Sequence, residues 1–345
     1  MNKAKWEIID RYLEPISKYL EMDGVTEIMG NRYDTIFIER YGDYIKVEER
    51  FSDEQAVCTL IKQISNALNQ DFHEDYQPLL NARLPDGSRI SATFSSVTAE
   101  GASFSIRVKS KESITVDMLL KQGAIRPEMA EYLCHAMDTG KNGIISGGTG
   151  SGKTTLMNIL IGFIPKSERI VTIEDTRELV VDSPNKVCME APIRKKQVGG
   201  QDRESVDMAV LTKHVLRYNP DRIIVGEMRE AKASEAFLEA MNTGHRGVCA
   251  TIHANNTADV IDRLSYLSMS SSPNTTYQQA ESRVISNVEF LCHMEKIRGR
   301  GRIITQISEI YKGKIVDLFA YDKKHHKHVA LAASEVMDRK ELCLV

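Results

Sequence analysis

Residues 147–154 form a glycine-rich segment whose residue types and spacing suit phosphate chemistry. They satisfy the pattern G-x-x-x-x-G-K-[ST] at every position. In such a loop the glycines let successive backbone N–H groups point at phosphate oxygens, the lysine reaches the β- and γ-phosphates, and the threonine hydroxyl can ligate Mg²⁺. The segment therefore predicts a nucleoside triphosphate site, with these candidate binding residues: Gly147, Gly148, Thr149, Gly150, Ser151, Gly152, Lys153, Thr154 and Thr155.

The elements on either side of this segment predict how it is positioned. Residues 143–146 form a short apolar run typical of a buried strand. Residues 156–164 carry apolar side chains at helical spacing, and Pro165 is expected to stop that helix. A strand, a glycine loop and a helix in this order form the context in which the pattern binds phosphate. The alternative is a glycine-rich turn that binds nothing.

Two further segments place carboxylates where a strand is expected to end. Residues 170–179 form a β-rich run that leads into Glu174, Asp175 and Glu178, one of which could polarise an attacking water. Residues 221–227 form an apolar strand that ends in Glu227, which would lie beside Mg²⁺ and its waters. The alternatives are a solvated acidic loop for the first segment and a core strand with a capping glutamate for the second.

A histidine-containing segment follows at residues 243–256. His245 and His253 flank a predicted strand there. His253 would end that strand on the nucleotide side of the sheet, where it could donate a hydrogen bond to the γ-phosphate and report its loss. A lone histidine is more often structural, which is the alternative for both.

The order of elements predicts two domains of α/β type. Residues 1–108 contain candidate strands at 35–40, 44–47, 89–94 and 103–108 and a helix at 54–68, with a turn at 84–87. Residues 109–116 form the linker, of which 109–113 are polar and without periodicity. Residues 117–345 alternate strand and helix, which favours a largely parallel sheet. Its candidate strands are 143–147, 169–174, 222–226 and 247–252, and its clearest helices are 205–217 and 231–242.

Composition excludes several classes of protein. The net charge of −3 over 345 residues argues against a dedicated nucleic-acid binder, so we predict no specific nucleic-acid partner. No apolar run approaches the roughly 18 residues that span a bilayer, and charges stand near the N-terminus where a signal peptide needs an apolar stretch. The six cysteines form no C-x-x-C pair, so a zinc site or a disulfide framework is not expected and a reducing cytosol fits best.

In this order the segments resemble the secretion-ATPase superfamily, the traffic ATPases of type II and type IV secretion, pilus and conjugation systems. The hallmarks are a Walker A loop (147–154), an acidic Asp box (173–179), a Walker B strand ending in Gly226-Glu227 and a His box (243–255). Segments 25–31, 84–89 and 105–107 are similar to the conjugation-type, VirB-eleven-like branch. The type II four-cysteine module and the C-terminal motif of pilus-retraction ATPases are absent from the sequence, which favours the conjugation or type IV secretion branch.

The resemblance implies a fold, a chemistry and residue roles. The fold would be a RecA-like P-loop ATPase domain preceded by a smaller mixed α/β domain, with ATP and Mg²⁺ as cofactors. Glu178 would orient the water, with Glu174 as the fallback, and Thr154 and Glu227 would hold Mg²⁺, the glutamate through water. His253 would sense the γ-phosphate. Arginines of the first domain would close over the nucleotide, with Arg107 the best match, followed by Arg89 and Arg83. Three arginines flank the Walker B strand and are weaker candidates for action across a subunit boundary: Arg217, Arg222 and Arg229.

The same resemblance implies a homo-hexamer at the cytoplasmic face of the inner membrane. Its partners would be the secretion or pilus machinery and further ATPases of the system, with weak association to the membrane surface. ATP would bind between the two domains, and hydrolysis would let the first domain swing on the linker. The alternatives are a nucleotide-gated assembly scaffold that barely hydrolyses, a DNA-translocating motor, and a phosphate-loop kinase.

Two basic segments near the C-terminus are interpreted as exposed and without function. Residues 298–302 alternate arginine and glycine, and a glycine-rich hairpin with solvated charges is favoured over RNA contacts. Residues 323–328 cluster lysine and histidine, and an exposed loop is favoured over a metal or acidic-lipid site.

Overall fold

The computed structural model describes residues 3–68, 73–109, 114–191, 197–198, 201–202, 206–272 and 274–332. The chain divides into two compact units, Met1–Ser113 and Ile114–Val345. Residues 110–113 of the predicted linker lie outside the described residues. The linker was predicted to extend to residue 116, but Val116 already belongs to the first helix of the second unit, which the Thr115 side chain caps by accepting from the Met118 N–H.

The first unit packs helices against an antiparallel sheet. Its helices are α1 (Lys3–Tyr12), α2 (Glu14–Glu21) and α3 (Glu54–Ala67), and its strands are β1 (Val25–Arg32), β2 (Thr35–Arg40), β3 (Asp43–Lys46), β4 (Leu79–Arg83), β5 (Arg89–Thr93) and β6 (Ser103–Arg107). The six strands follow the order β3-β2-β1-β6-β5-β4, with antiparallel pairs throughout.

Helix α3 shows why this unit folds as the sequence predicts. The Asp53 side chain accepts a hydrogen bond from the Ala56 N–H at 2.8 Å and so caps the first turn. Four apolar side chains at helical spacing are fully buried in the core of the unit: Val57, Leu60, Ile61 and Ile64. The predicted helix 54–68 is therefore confirmed to within one residue.

The strand predictions for this unit are confirmed with small shifts at their ends. The strand at 35–40 has the predicted bounds, β3 lies one residue earlier than 44–47, and β5 and β6 each end one residue earlier than predicted. The predicted turn at 84–87 is closed by a hydrogen bond from the Gly87 N–H to the Leu84 carbonyl at 2.9 Å. Strands β1 and β4 and helices α1 and α2 were not predicted.

The second unit is built on a nine-stranded sheet. The helices in the described part of this unit are α4 (Val116–Lys121), α5 (Pro127–Asp138), α6 (Lys153–Ile161), α7 (Met208–Val215), α8 (Ala231–Asn242), α9 (Thr257–Ser271) and α10 (Tyr277–Asn287). The strands are β7 (Gly143–Gly147), β8 (Ile170–Glu174), β9 (Lys186–Glu190), the short β10 (Gln197–Val198) and β11 (Gln201–Asp202), β12 (Arg222–Met228), β13 (Val248–Ile252), β14 (Phe290–Ile297), β15 (Gly301–Tyr311), β16 (Lys314–Asp322) and β17 (Lys327–Ala330).

The large sheet combines a parallel and an antiparallel part. Its order is β17-β16-β15-β14-β7-β13-β12-β8-β9, and the pairs from β14 to β9 are parallel. Strands β15, β16 and β17 extend the sheet beyond β14 as antiparallel hairpins. The predicted parallel sheet is confirmed for its four predicted strands, β7, β8, β12 and β13, while the parallel strands β9 and β14 and the antiparallel extension were not predicted.

The parallel strands are continuously buried because helices cover both faces of this part of the sheet. Every residue of β7, β8 and β13 is buried. Ile145 packs into one core with apolar side chains of α5 and α6, and its neighbour Ile144 packs into the other core with those of α7 to α10. The six parallel strands end at one edge of the sheet, which is where ligands of open α/β sheets bind.

Several boundaries in this unit differ from the predictions. Helix α7 runs from Met208, capped by Asp207, to Val215, so the predicted helix 205–217 is too long, and residue 205 lies outside the described residues. Helix α6 ends at Ile161, before the predicted end at 164. Strands β8 and β13 begin one residue later than predicted, and β12 runs two residues further. Among the described residues, no helix is long and apolar enough to span a membrane.

Candidate nucleotide-binding site

The phosphate loop connects β7 to α6 at the carboxyl edge of the sheet. Gly147, Gly150 and Gly152 have φ angles of 153°, 70° and 99°, which L side chains rarely adopt. A Cβ on Gly147 would also lie 2.3 Å from the Met294 carbonyl oxygen of the neighbouring strand β14. The residues at 148–150 are exposed, and a Cβ on Gly148 or Gly150 would meet no atom within 4 Å. The loop is therefore an open turn at a helix N-terminus, the arrangement that binds anions.

Lys153 is buried inside this turn and bonded to the loop's own backbone. Its Nζ donates to the carbonyls of Gly147 and Gly148, at 3.0 Å each. Burial lowers the pKa of the Lys153 ammonium below its ordinary value, and the negative charge of Glu227 opposes that shift only in part. The next two side chains are accessible, since Thr154 is half-buried and Thr155 is exposed.

Glu227, at the end of β12, is the centre of a chain of charged contacts. Its Oε1 lies 2.6 Å from Nε2 of His253, and its Oε2 is paired with Arg229. Arg229 in turn contacts Oδ2 of Asp175 at 3.2 Å. The hydrogen bond to Glu227 is the main cause that holds the pKa of Arg229 above its ordinary value. The Walker B strand and the Asp box are therefore joined through one guanidinium.

His253 links this chain of contacts to the phosphate loop. Its Nδ1 lies 3.5 Å from Nζ of Lys153. Burial, followed by the nearby charge of Lys153, lowers the pKa of the imidazole, which favours the neutral ring at pH 7. An ammonium can only donate, so Nδ1 is the acceptor and the ring proton belongs on Nε2, facing Glu227.

The two glutamates of the Asp box have different environments. Glu174 is buried, and its Oε1 accepts the backbone N–H groups of Glu178 and Leu179 at 2.7 and 2.9 Å. Glu178 is only half-buried. Asn158 of α6 also holds this loop, since its Oδ1 accepts the Val180 N–H at 2.8 Å. Glu174 therefore shapes the turn that presents Glu178.

The arginines predicted in the first unit form one cross-strand row. Arg83 of β4 lies opposite Arg89 of β5, which lies opposite Arg107 of β6. Glu27 of β1 is the next residue in the row. Three arginines therefore stand side by side on neighbouring strands, followed by one glutamate.

Two predictions about basic residues are wrong. Arg222 was considered for action across a subunit boundary, but it is buried, ion-paired with Glu168, and donates from Nη2 to the Asp138 carbonyl at 2.9 Å. Residues 323–327 are exposed as predicted, but His328 is buried at the start of β17, with Nε2 2.9 Å from the Ile304 carbonyl oxygen. Among the described residues, no group of three or more His, Cys, Asp or Glu side chains could hold a metal ion by itself.

Three contributors to this edge of the sheet were missed or misjudged in the sequence. The sequence presents Asp175 as one of several acids, whereas the structure pairs it with Arg229. It presents Arg302 as a solvated charge, whereas the Arg302 Nε donates to the Gly150 carbonyl at 2.9 Å. Ser146, the residue before the loop, was not considered; its Oγ lies 2.8 Å from Nδ1 of the buried His293. Strand pairing would have indicated Arg302 and His293: β14 runs parallel to β7, so the end of β14 and the hairpin that follows it reach the phosphate loop.

The fold and this edge of the sheet define a RecA-like protein with a phosphate loop, a Walker B acid and a histidine on neighbouring strands. Comparison with known proteins then shows to which family the chain belongs. The family model described as type II/IV secretion system protein matches residues 10–327. The chain therefore belongs to that family and is an ATPase of the secretion type.

Relatives of similar length come from conjugation and type IV secretion. A probable conjugal transfer protein TrbB of Sinorhizobium fredii is 34% identical over 84% of this chain and 85% of its own length. The type IV secretion system protein VirB11 of Bartonella henselae is 30% identical over 87% and 91%. An uncharacterized protein of Methanocaldococcus jannaschii is 39% identical over 67% of this chain, which spans only 32% of that longer protein. The solved structure of the pilus retraction motor PilT with bound ADP matches with a TM-score of 0.60, 24% identity and coverage of 85% and 81%, which supports the fold.

Proposed function

We propose that this protein is a traffic motor that powers a type IV secretion, conjugation or pilus assembly system by binding and hydrolysing ATP. The observation that supports this most directly is the contact chain from the phosphate loop through Lys153 and His253 to Glu227. The relatives that match over most of their length are proteins of conjugal transfer and type IV secretion. The cellular system, the cargo and the direction of force belong to this proposal.

The residues present fit a nucleoside triphosphate with Mg²⁺. The loop offers glycine backbone without side chains in the way, and a helix N-terminus behind it. Thr154 and, through water, Glu227 would hold the metal ion, which would neutralise charge on the β- and γ-phosphate oxygens. The carboxylate oxygens of Glu227 now contact a histidine and an arginine, and they could bind Mg²⁺ or its waters in place of these partners.

In this proposal Lys153 and His253 exchange partners when the nucleotide binds. Lys153 leaves the carbonyls of Gly147 and Gly148, with which it makes ordinary hydrogen bonds, for the more strongly charged phosphate oxygens. His253 then loses the cation beside Nδ1. Without that charge the imidazole pKa rises, so the ring can take up a proton from solvent at Nδ1, donate it in a hydrogen bond to the γ-phosphate, and so register when that phosphate is lost.

For the attacking water we propose Glu178 as the orienting group. Glu174, the fallback in the sequence analysis, is buried, and its Oε1 already accepts two backbone N–H groups, so it is engaged in holding the turn. Charge that grows on the γ-phosphoryl oxygens requires a cation. We assign that role to Arg107, with Arg89 and Arg83, on the strength of the family resemblance and of their common row.

The proposal includes a homo-hexameric ring at the cytoplasmic face of the inner membrane, partnered by the secretion or pilus machinery and its other ATPases. Residues 1–108 would move relative to residues 117–345 about the segment 109–113. Weak attraction of the membrane surface to residues 323–327 is part of the same proposal.

The test combines turnover with solution mass. The parent is expected to release phosphate from ATP in a Mg²⁺-dependent reaction, and Lys153→Ala to abolish it. Molar mass measured with and without a non-hydrolysable ATP analogue should reach about six times 38.8 kDa with the analogue. Turnover in Lys153→Ala equal to the parent would show that this loop is not the site. Binding without turnover would favour the scaffold, and turnover stimulated by DNA would favour the DNA motor.

A further inference from the structure

The hairpin between β14 and β15 brings an arginine onto the phosphate loop. Arg302 stands opposite Lys296 in this hairpin, and the turn at 298–300 connects the two strands. The Arg302 Nε donates to the Gly150 carbonyl at 2.9 Å. Its aliphatic stem crosses the start of α6, since a Cβ on Gly152 would lie 3.1 Å from the Arg302 Cδ. Arg302 therefore contacts the loop at two points. One of them, Gly150, lies 152 residues earlier in the sequence.

The partners of the loop carbonyls show what this contact does. A loop that turns its N–H groups toward an anion turns carbonyls outward, and these need donors. The carbonyls of Gly147 and Gly148 accept from Lys153, and that of Gly152 accepts from the Leu156 N–H at 2.9 Å inside α6. The Gly150 carbonyl accepts from Arg302. The carbonyls of the first half of the loop are thus held by its own lysine, with one longer bond from the Ser151 N–H to the Gly148 carbonyl at 3.4 Å, and the Gly150 carbonyl of the second half is held by the hairpin.

This division matters because, in the function proposed above, the lysine has to leave. When Lys153 moves to the phosphates, the first half of the loop loses both hydrogen bonds from Nζ. Arginine is permanently charged, so its hydrogen bond to a neutral carbonyl does not depend on pH and persists during that exchange. Building on the proposed function, we infer that Arg302 is a positioning residue that keeps the Gly150–Gly152 half of the loop in its anion-binding shape.

The inference predicts weaker nucleotide binding with little change in chemistry. Arg302→Ala should raise the Kd of Mg²⁺-ATP and of ADP by about tenfold each, since both use the loop through the β-phosphate and one charge-assisted hydrogen bond is lost. KM should rise in parallel, while kcat at saturating ATP changes less than about threefold, because bound nucleotide restores the loop shape. Arg302→Lys keeps a donor on a long stem and should recover most of the affinity.

The control is Arg300→Ala, which removes the same charge from the turn of the same hairpin. Arg300 is exposed, and the Kd of the Arg300→Ala variant for ATP should stay within about twofold of the parent value. Calorimetric titration measures the Kd values, and thermal unfolding of each variant without nucleotide should give midpoints within a few degrees of the parent.

Three results would overturn the inference while leaving the proposed function intact. The first is a parent-like Kd in Arg302→Ala. The second is an equal loss in Arg300→Ala, which would assign the effect to net charge. The third is a fall in kcat with Kd unchanged, which would indicate contact in the transition state. If the parent itself bound no ATP, the proposed function would fail and the inference with it.

Discussion

Glu174 and Glu178 lie four residues apart, and the structure predicts different roles for them. Substitution of Glu174 should reduce the stability of the fold, whereas substitution of Glu178 should reduce turnover. Glu174 is 2% exposed, and its Oε1 accepts two backbone N–H groups at 2.7 and 2.9 Å. Leaving a buried donor without a partner costs about 1–3 kcal/mol. Because one of these two donors is only partly buried, Glu174→Ala should lower the free energy of unfolding by about 2–4 kcal/mol.

Glutamine separates the structural role from the catalytic role. Glu174→Gln keeps an acceptor oxygen in place and should cost only about 1 kcal/mol, with turnover close to the parent. Glu178→Gln lies in a half-buried position and should change stability by about 0.5 kcal/mol or less. Its turnover should fall by a factor of about 10² or more, because it removes the group proposed to orient the water, while ATP binding persists.

The assays are urea unfolding for the free energy, phosphate release for turnover and calorimetry for ATP binding. The two glutamine variants are matched controls for each other, since each exchanges one carboxylate for one amide. Loss of turnover in Glu174→Gln with normal turnover in Glu178→Gln would reverse the assignment. Full stability of Glu174→Ala would refute the argument from the two backbone donors.

Two further predictions concern the buried charges of the second unit. Arg222→Ala removes a buried guanidinium from the half-buried Glu168 and from the Asp138 carbonyl, and should lower the free energy of unfolding by about 2–3 kcal/mol in urea unfolding. Turnover per folded molecule should be unchanged. Loss of turnover in a fully folded variant would restore a functional role for Arg222. Burial lowers the pKa of His293 below its ordinary 6.5, so the unfolded chain binds that proton more tightly. The contribution of His293 to the free energy of unfolding is therefore complete above pH 6.5 and is lost as the pH falls below 6.5. In urea unfolding at several pH values, His293→Gln should make the free energy of unfolding fall less steeply below pH 6.5. The same pH dependence in the variant and the parent would contradict this.

The centre of the site could be predicted because its determinants are local in sequence. The glycine pattern fixes a backbone shape within eight residues, and an apolar run followed by Glu227 or His253 marks the end of a buried strand. Parallel strands end at a common edge, so these separate segments were expected to converge. The structure brings Lys153, His253 and Glu227 into one contact chain at that edge.

The surroundings of the site could not be predicted, because they depend on which strands pair. Arg302 in its glycine-rich turn has the composition of a solvated hairpin, and only the parallel pairing of β14 with β7 brings it to the phosphate loop. Arg222 follows an aspartate at the start of a strand and has no local signal of burial. Its burial follows from close approach at two glycines, since a Cβ on Gly140 or Gly247 would lie 2.7 or 2.3 Å from its guanidinium.

The charges at the edge of the sheet explain why a nucleotide would change this site as a whole. Lys153 and Arg229 are cations, Glu227 and Asp175 are anions, and the neutral ring of His253 lies between Lys153 and Glu227. The four charges cancel: Arg229 is shared by Glu227 and Asp175, while Lys153 donates to the carbonyls of Gly147 and Gly148. A triphosphate that draws Lys153 away leaves this balance unequal by one charge, and a cation placed at Glu227 competes with Arg229 for the same oxygens. On the proposed function, binding at the loop would therefore be transmitted along the contacts to Asp175, three strands away from β7, and removing Arg229 should interrupt that transmission before it reaches the Asp box.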